Sequence, residues 1–188
     1  LAYGCTPAEA PRMAKASYLS NLLTYFETIA APRILQNPKI KIDLIQDERA
    51  TEILAKCKSG EYKAGMFLLA HGGSWELLGA YLSLPFPKGA ITIPGRVPKD
   101  KALWEYMVGL RERVNMRVID KDAMLKDFVR SLAAKKNVIY GFMSDQHYKH
   151  GLKADFLGRP ACTVQIPAQL IYRHHLPTCV ISSTRIST

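Results

Sequence analysis

Between about Met13 and Ile34 the apolar positions Leu19, Leu22, Leu23, Phe26 and Ile29 recur at helical spacing, and the pattern fades near Pro32. This predicts a long leading helix. A second, shorter helix is expected from about Asp47 to Lys58, with Gly60 just beyond it as a stop. The pattern then changes. Gly65–Ala70 is a short, continuous apolar run, as a strand buried on both faces requires. From there helices and strands alternate: a helix at about Ser74–Leu82, a strand near Ala90–Ile93, and a helix over Lys101–Arg113 with Asp100 as its N-cap. A strand at Met116–Ile119, a helix at about Ala123–Lys135 and a strand at Asn137–Met143 follow, then a helix near Val164–Tyr172 and a last strand over Thr178–Ser183. This alternation predicts an α/β fold: a mostly parallel central sheet flanked by helices, with a helical N-terminal lead-in.

The chain of 188 residues is long enough to bury a sizeable core, and no internal repeat, linker or low-complexity tract divides it, so one domain over 1–188 is expected. No apolar run approaches the roughly 18–20 residues that span a bilayer. Lys and Arg number 26 against 16 Asp and Glu, a formal charge of +10, which suits anionic partners. Cys5, Cys57, Cys162 and Cys179 stand far apart with no CxxC pair, and are read as free, mostly buried thiols in a reducing compartment. Leu1 is not an initiator, the opening residues form neither signal peptide nor membrane anchor, and a strand close to the last residue is unusual. Residues are therefore expected to be missing at both ends.

Chemistry in such sheets gathers at the carboxyl ends of the strands. The first predicted strand ends in Ala70-His71-Gly72-Gly73-Ser74-Trp75-Glu76-Leu77. Two glycines after His71 let another molecule approach the backbone closely. Glu76, in the first turn of the next helix, is spaced to return onto the imidazole, where a carboxylate on one ring nitrogen would leave the other to take a proton from a hydroxyl. The competing reading is structural: Glu76 near a helix N-terminus as a capping or dipole partner, and His71 as a packed strand-end residue.

His71-x-x-x-x-Glu76 matches the H-x4-D/E signature of glycerolipid-type acyltransferases. His71-Gly72-Gly73-Ser74-Trp75-Glu76-Leu77 resembles the H-x-G-N-W-E-L phrase of the lipid A biosynthesis (lauroyl/myristoyl) acyltransferase family, with Ser74 for Asn. Asp145-Gln146-His147-Tyr148 resembles that family's D-Q-D-Y, and Phe156-Leu157-Gly158-Arg159-Pro160-Ala161-Cys162-Thr163 its F-F-G-x-P-A-x-T, in the same order and spacing. Arg96-Val97-Pro98-Lys99-Asp100 resembles R-P-x-x-N, and Arg111 with Asn115 an R-x-x-x-G turn, Asn being the best replacement for Gly at positive φ. Family members are longer at both ends, with an N-terminal membrane helix and a further C-terminal portion.

The resemblance implies transfer of a fatty acyl chain from an acyl thioester on acyl carrier protein to a hydroxyl of a lipid A precursor or related glycolipid, at the cytoplasmic face of the bacterial inner membrane. His71 would be the general base and Glu76 its orienting acid. Backbone amides near Gly72 and Gly73, or a basic side chain, would stabilise the oxyanion. Arg96 would bind an anionic group or stand solvated. Asp145 and Gln146 would shape the pocket, as would Arg159 in its motif, while Gly158, Pro160 and Ala161 would fix a tight turn beside it. An anionic membrane surface and acidic carrier protein would answer the positive charge. No metal or nucleotide cofactor is implied. A lysophospholipid acceptor, or a non-catalytic lipid- or carrier-binding module on the same fold, are the alternatives. Asp145, His147 and His150 match no strong zinc spacing, Cys162 has no activating base near it in sequence, and the basic Lys121–Lys136 segment lacks the aromatic interleaving of a nucleic-acid stripe.

Overall fold

A computed structural model describes residues 4–156 and 158–186. The leading helix α1 spans Ala10–Gln36 and continues past Pro32, which sits in its last turns, to end where Asn37 turns extended. Helix α2 (Glu48–Ser59) begins and ends where local chemistry dictates. The Asp47 carboxylate accepts from the Ala50 N–H at 2.6 Å, and Gly60 closes the helix in the left-handed region at φ 77°.

Strand β1 (Ala64–Leu69), α3 (Trp75–Ser83), β2 (Ile91–Gly95), α4 (Lys101–Glu112) and β3 (Met116–Asp120) follow as the pattern predicts. Asp100 caps α4, accepting from the Leu103 N–H at 3.1 Å, and Asn115 takes the positive φ of 66° that its resemblance to a glycine turn implied. A 3₁₀ turn at Lys121–Ala123 leads into α5 (Met124–Ala133), and β4 (Val138–Met143) returns to the sheet. After the β5–β6 pair come α6 (Ile166–His174) and β7 (Thr178–Val180).

The five strands of the main sheet lie in the order β3-β2-β4-β1-β7, and every pairing is parallel. The two central strands are buried on both faces. Phe67 and Ile139 point to one side with Ile53, Cys57, Leu82 and Phe86; Met66, Val138 and Tyr140 point to the other with Met124, Phe128, Leu170 and Leu176. Helices α2 and α3 thus supply one layer and α5 and α6 the other. Near β3, Ala31 of α1 and Ala80 of α3 pack with Val114 and Met116. The thiols are free, with Cys57 and Cys179 buried; burial pushes the Cys57 pKa up to about 11.

Two expectations need correction. The segment after β4 is not a tight turn alone but an antiparallel hairpin, β5 (Leu152–Phe156) with β6 (Arg159–Thr163). Gly158, at φ 74°, does turn it, but Pro160 and Ala161 stand in β6 opposite Asp155 and Ala154. Periodicity could not separate so short a hairpin from a loop. The terminal strand stops at Val180 rather than Ser183, because Ser183 turns to the Gly73–Ser74 loop and Arg185 to α1, as described below. Leu1 and Leu157, which entered the sequence reading, lie outside the described residues.

Candidate active site

Strand order decides the site. β4 lies beside β1 in a register that pairs Leu69 with Met143, so the chain two residues further along each strand brings His71 and Asp145 together at the carboxyl edge. The Asp145 carboxylate accepts two hydrogen bonds from that one residue: Oδ2 from the His71 backbone N–H at 2.8 Å, and Oδ1 from ring Nδ1 at 2.8 Å. The first fixes the loop and the second the ring. Burial alone would raise the Asp145 pKa, but the His71 backbone and side-chain hydrogen bonds outweigh it and hold the carboxyl below its ordinary value. Gln146 brings its Nε2 to 3.4 Å from His71 Nε2, a long contact. An amide N–H facing Nε2 and a carboxylate facing Nδ1 both select the tautomer with hydrogen on Nδ1. Trp75 packs edge-on against the imidazole with centroids 5.2 Å apart.

The expected His71–Glu76 contact is therefore corrected. Glu76 turns to α4, where Arg111 donates from Nε at 3.1 Å and from Nη2 to the other carboxylate oxygen. Both side chains are largely buried. Such a two-pronged pair ties α3 to α4 and fits the structural reading of an acid in a first helical turn. Sequence proximity suggested a contact the fold does not make, because a strand-end residue meets the neighbouring strand's end before it meets its own chain's next helix.

The glycines after His71 are held from behind. Gly73 adopts φ 62°, and a Cβ there would stand 1.9 Å from the Ser183 carbonyl oxygen, so no other residue fits. Its carbonyl accepts from the Thr24 hydroxyl at 2.9 Å. The Ser74 N–H donates to Ser183 Oγ at 2.8 Å, and the Ser74 hydroxyl, where it would otherwise cap α3, donates to the Glu27 carboxylate. Arg185 closes the cluster, donating to both Glu27 oxygens at 2.7 and 2.6 Å, to Ser20 Oγ at 2.9 Å and to Thr24 Oγ1 at 2.8 Å. Burial alone would raise the Glu27 pKa, but Arg185 and Ser74 outweigh it and hold it below the ordinary value. Glu27, Thr24, Ser183 and Arg185 carried no signal in the sequence: they come from opposite ends of the chain and join only once α1 has packed on the sheet.

Gly72, by contrast, is exposed, with open space where a side chain would stand. The His71 and Ser74 amides are already engaged. Those of Gly72 and Gly73 donate to nothing among the described residues. Arg96 is exposed just past β2, at the same edge of the sheet; it and Lys121 follow the paired residues Gly95 and Asp120, and Lys121 is ion-paired with Asp122. Arg159 sits apart from the His71 cluster, exposed on the hairpin opposite Phe156. Among the described residues no group of three or more His, Cys, Asp or Glu could hold a metal ion.

A parallel α/β sheet with an imidazole held at its carboxyl edge by a carboxylate, beside free glycine amides, has the parts of a general-base transferase. The chain matches the family described as bacterial lipid A biosynthesis acyltransferase over residues 1–186, and it belongs to that family of acyltransferases. A search of curated proteins found no match.

Proposed function

We propose that this acyltransferase moves a fatty acyl chain from a thioester on acyl carrier protein to a hydroxyl of a lipid A precursor, working at the cytoplasmic face of the bacterial inner membrane. The observation that carries the reading is the double hydrogen bond from His71 to Asp145, which leaves Nε2 facing outward with its lone pair. The acceptor hydroxyl displaces Gln146 from Nε2 and gives its proton to it as the oxygen attacks the thioester carbonyl carbon. Asp145 stabilises the imidazolium that forms. The carbonyl π pair moves onto oxygen, and the Gly72 and Gly73 amides are the donors for that oxyanion. Collapse re-forms the carbonyl, breaks the carbon–sulfur bond and expels the carrier thiolate, which recovers the proton from His71. The ester forms with no acyl-enzyme.

Glu76 in this scheme is a positioning residue, holding α3 through Arg111. Arg96, exposed just past β2, is the group assigned to an anionic part of the acceptor, a task its planar fork suits. The excess of positive charge favours both the acidic carrier and an anionic membrane surface.

The test offers labelled acyl–acyl carrier protein with a lipid A precursor or a lysophospholipid, in detergent, to wild type and His71→Ala. Transfer to the lipid A precursor, lost in the variant, supports the proposal. Transfer to the lysophospholipid alone would move the substrate. Undiminished transfer by His71→Ala would overturn the mechanism.

A further inference from the structure

Helix α1 packs the wrong way round for a water-soluble surface helix. Over its middle turns the side facing the protein is polar: Thr24 is 0% and Thr28 5% exposed, alongside Ser20 and the Arg185-paired Glu27. The side facing out is apolar, with Phe26 61%, Ile29 52%, Leu23 51% and Leu22 40% exposed, and Tyr18 and Tyr25 more than half so. At about 100° per residue, Tyr18, Leu22, Tyr25, Phe26 and Ile29 fall within roughly one-third of the circumference. A contiguous apolar strip along a 27-residue helix is not the scattered exposure that any soluble surface shows.

We propose that this outward face of α1 lies in the surface of an anionic lipid bilayer and presents the His71 site to it. The inference rests on the acyltransferase reading above, since it is a lipid acceptor that must be reached. Three observations choose lipid over a protein partner. First, the charge on the helix is one-sided: Arg12, Lys15 and Arg33 are exposed, and its one acid, Glu27, is turned inward onto Arg185. Cations flanking a strip of Leu, Ile, Phe and Tyr are the composition of a helix lying in the headgroup layer, with tyrosines at the boundary. Second, among the described residues no helix is long and apolar enough to cross a membrane, so α1 lies along the surface and does not pierce it. Third, the strip borders the loop that carries the base. A groove of about 480 Å³, lined by Ala16, Leu19, Ser20, Leu23, Gly73 and Arg185, runs between its edge and Gly73, two residues after His71. The buried polar seam also acquires a reason. With the apolar positions of its middle turns committed outward, α1 is held there by hydrogen bonds and one ion pair, and by apolar packing only further along, at Ala31 and Leu35.

Vesicle co-sedimentation of the full chain tests this, using phosphatidylglycerol-rich and pure phosphatidylcholine vesicles. Wild type is compared with Leu22→Gln/Phe26→Gln and with Leu152→Gln/Phe156→Gln, an equal polar change on the exposed hairpin. Circular dichroism and melting confirm that each is folded. The α1 variant should lose at least tenfold in partitioning onto the anionic vesicles, the hairpin variant less than twofold, and wild type should bind phosphatidylcholine distinctly more weakly. Equal binding by wild type and the α1 variant would overturn the proposal. So would failure of folded wild type to bind, or a dimer in sedimentation velocity that the α1 changes dissolve, since a second copy would then cover the face. Acyl transfer to detergent-dispersed acceptor, measured in parallel, should be unchanged by the α1 variant. Its absence from wild type would count against the acyltransferase reading while leaving the vesicle result to decide the docking face.

Discussion

At the carboxyl end of β4, Asp145 accepts hydrogen bonds from the backbone and ring of His71; in the first turn of α3, Glu76 accepts two from Arg111. Both are acids paired with a basic partner by two contacts, and both lie within reach of one loop. Their settings differ. Glu76 and Arg111 are largely buried and join two helices, so the pair's whole capacity is spent on packing. The His71–Asp145 pair keeps roughly a quarter of each side chain exposed, and its outer nitrogen contacts only a long-range amide. One pair is closed and the other open. In an acid–base site it is the open pair that can accept a proton from something else.

Breaking the open pair should give the largest effect. His71→Ala removes the base, and a loss of about 10³-fold in acyl transfer is expected from general-base catalysis, with the melting temperature little changed. Asp145→Asn keeps the size of the side chain but replaces the acceptor by an amide that can present N–H to Nδ1, favouring the wrong tautomer. It should cost about 10²-fold in kcat with KM within a few-fold, by steady-state transfer to the lipid acceptor.

The closed pair should respond in stability. Glu76→Gln leaves a buried guanidinium without its counter-charge, for which about 2–3 kcal/mol is expected, or a fall of about 5–10 °C in melting temperature for a chain this size. Calorimetry checks it. Activity per folded molecule should stay within about threefold, in contrast to Asp145→Asn. A loss of turnover at unchanged stability would reverse the two assignments.

The smallest effect separates a third acid, Glu27, from both. Its folded pKa lies below its ordinary value, so the stability it contributes is fully present above the unfolded value of about 4.3 and is lost as pH falls through the lower folded value. Acid unfolding of Glu27→Gln, followed by circular dichroism from pH 6 to 2, should begin from a lower stability and vary less with pH below about 4. A wild-type pH dependence in that variant would remove Glu27 from the seam's account.

What was legible in the sequence was what is decided locally. The strands at 64–69 and 138–143 follow from short apolar runs, Asp47, Gly60 and Asp100 mark helix ends because capping acts within a few residues, and Asn115 marks a turn through its resemblance to a glycine position. His71 stood out for the same reason, as a strand-end residue before glycines. Its partner did not, because the choice between Glu76 and Asp145 depends on β4 lying beside β1, and strand order is not written in any one segment. Helix α1 shows a similar division. Periodicity located the helix and its apolar stripe, but facing was set by Ser20, Thr24 and Glu27 meeting Gly73, Ser74 and Arg185 from distant parts of the chain. The β5–β6 hairpin, too short for periodicity, needed its partner strand to be seen at all.

The most direct measurement of the central claim is the ¹⁵N resonance pair of the His71 ring in wild type, Asp145→Asn and Glu76→Gln. Wild type should show hydrogen on Nδ1 and a bare Nε2; the pattern should be lost in Asp145→Asn and kept in Glu76→Gln. An Nε2–H tautomer in wild type, or a ring that responds to Glu76→Gln and not to Asp145→Asn, would contradict the assignment of Asp145 as the acid that holds the base.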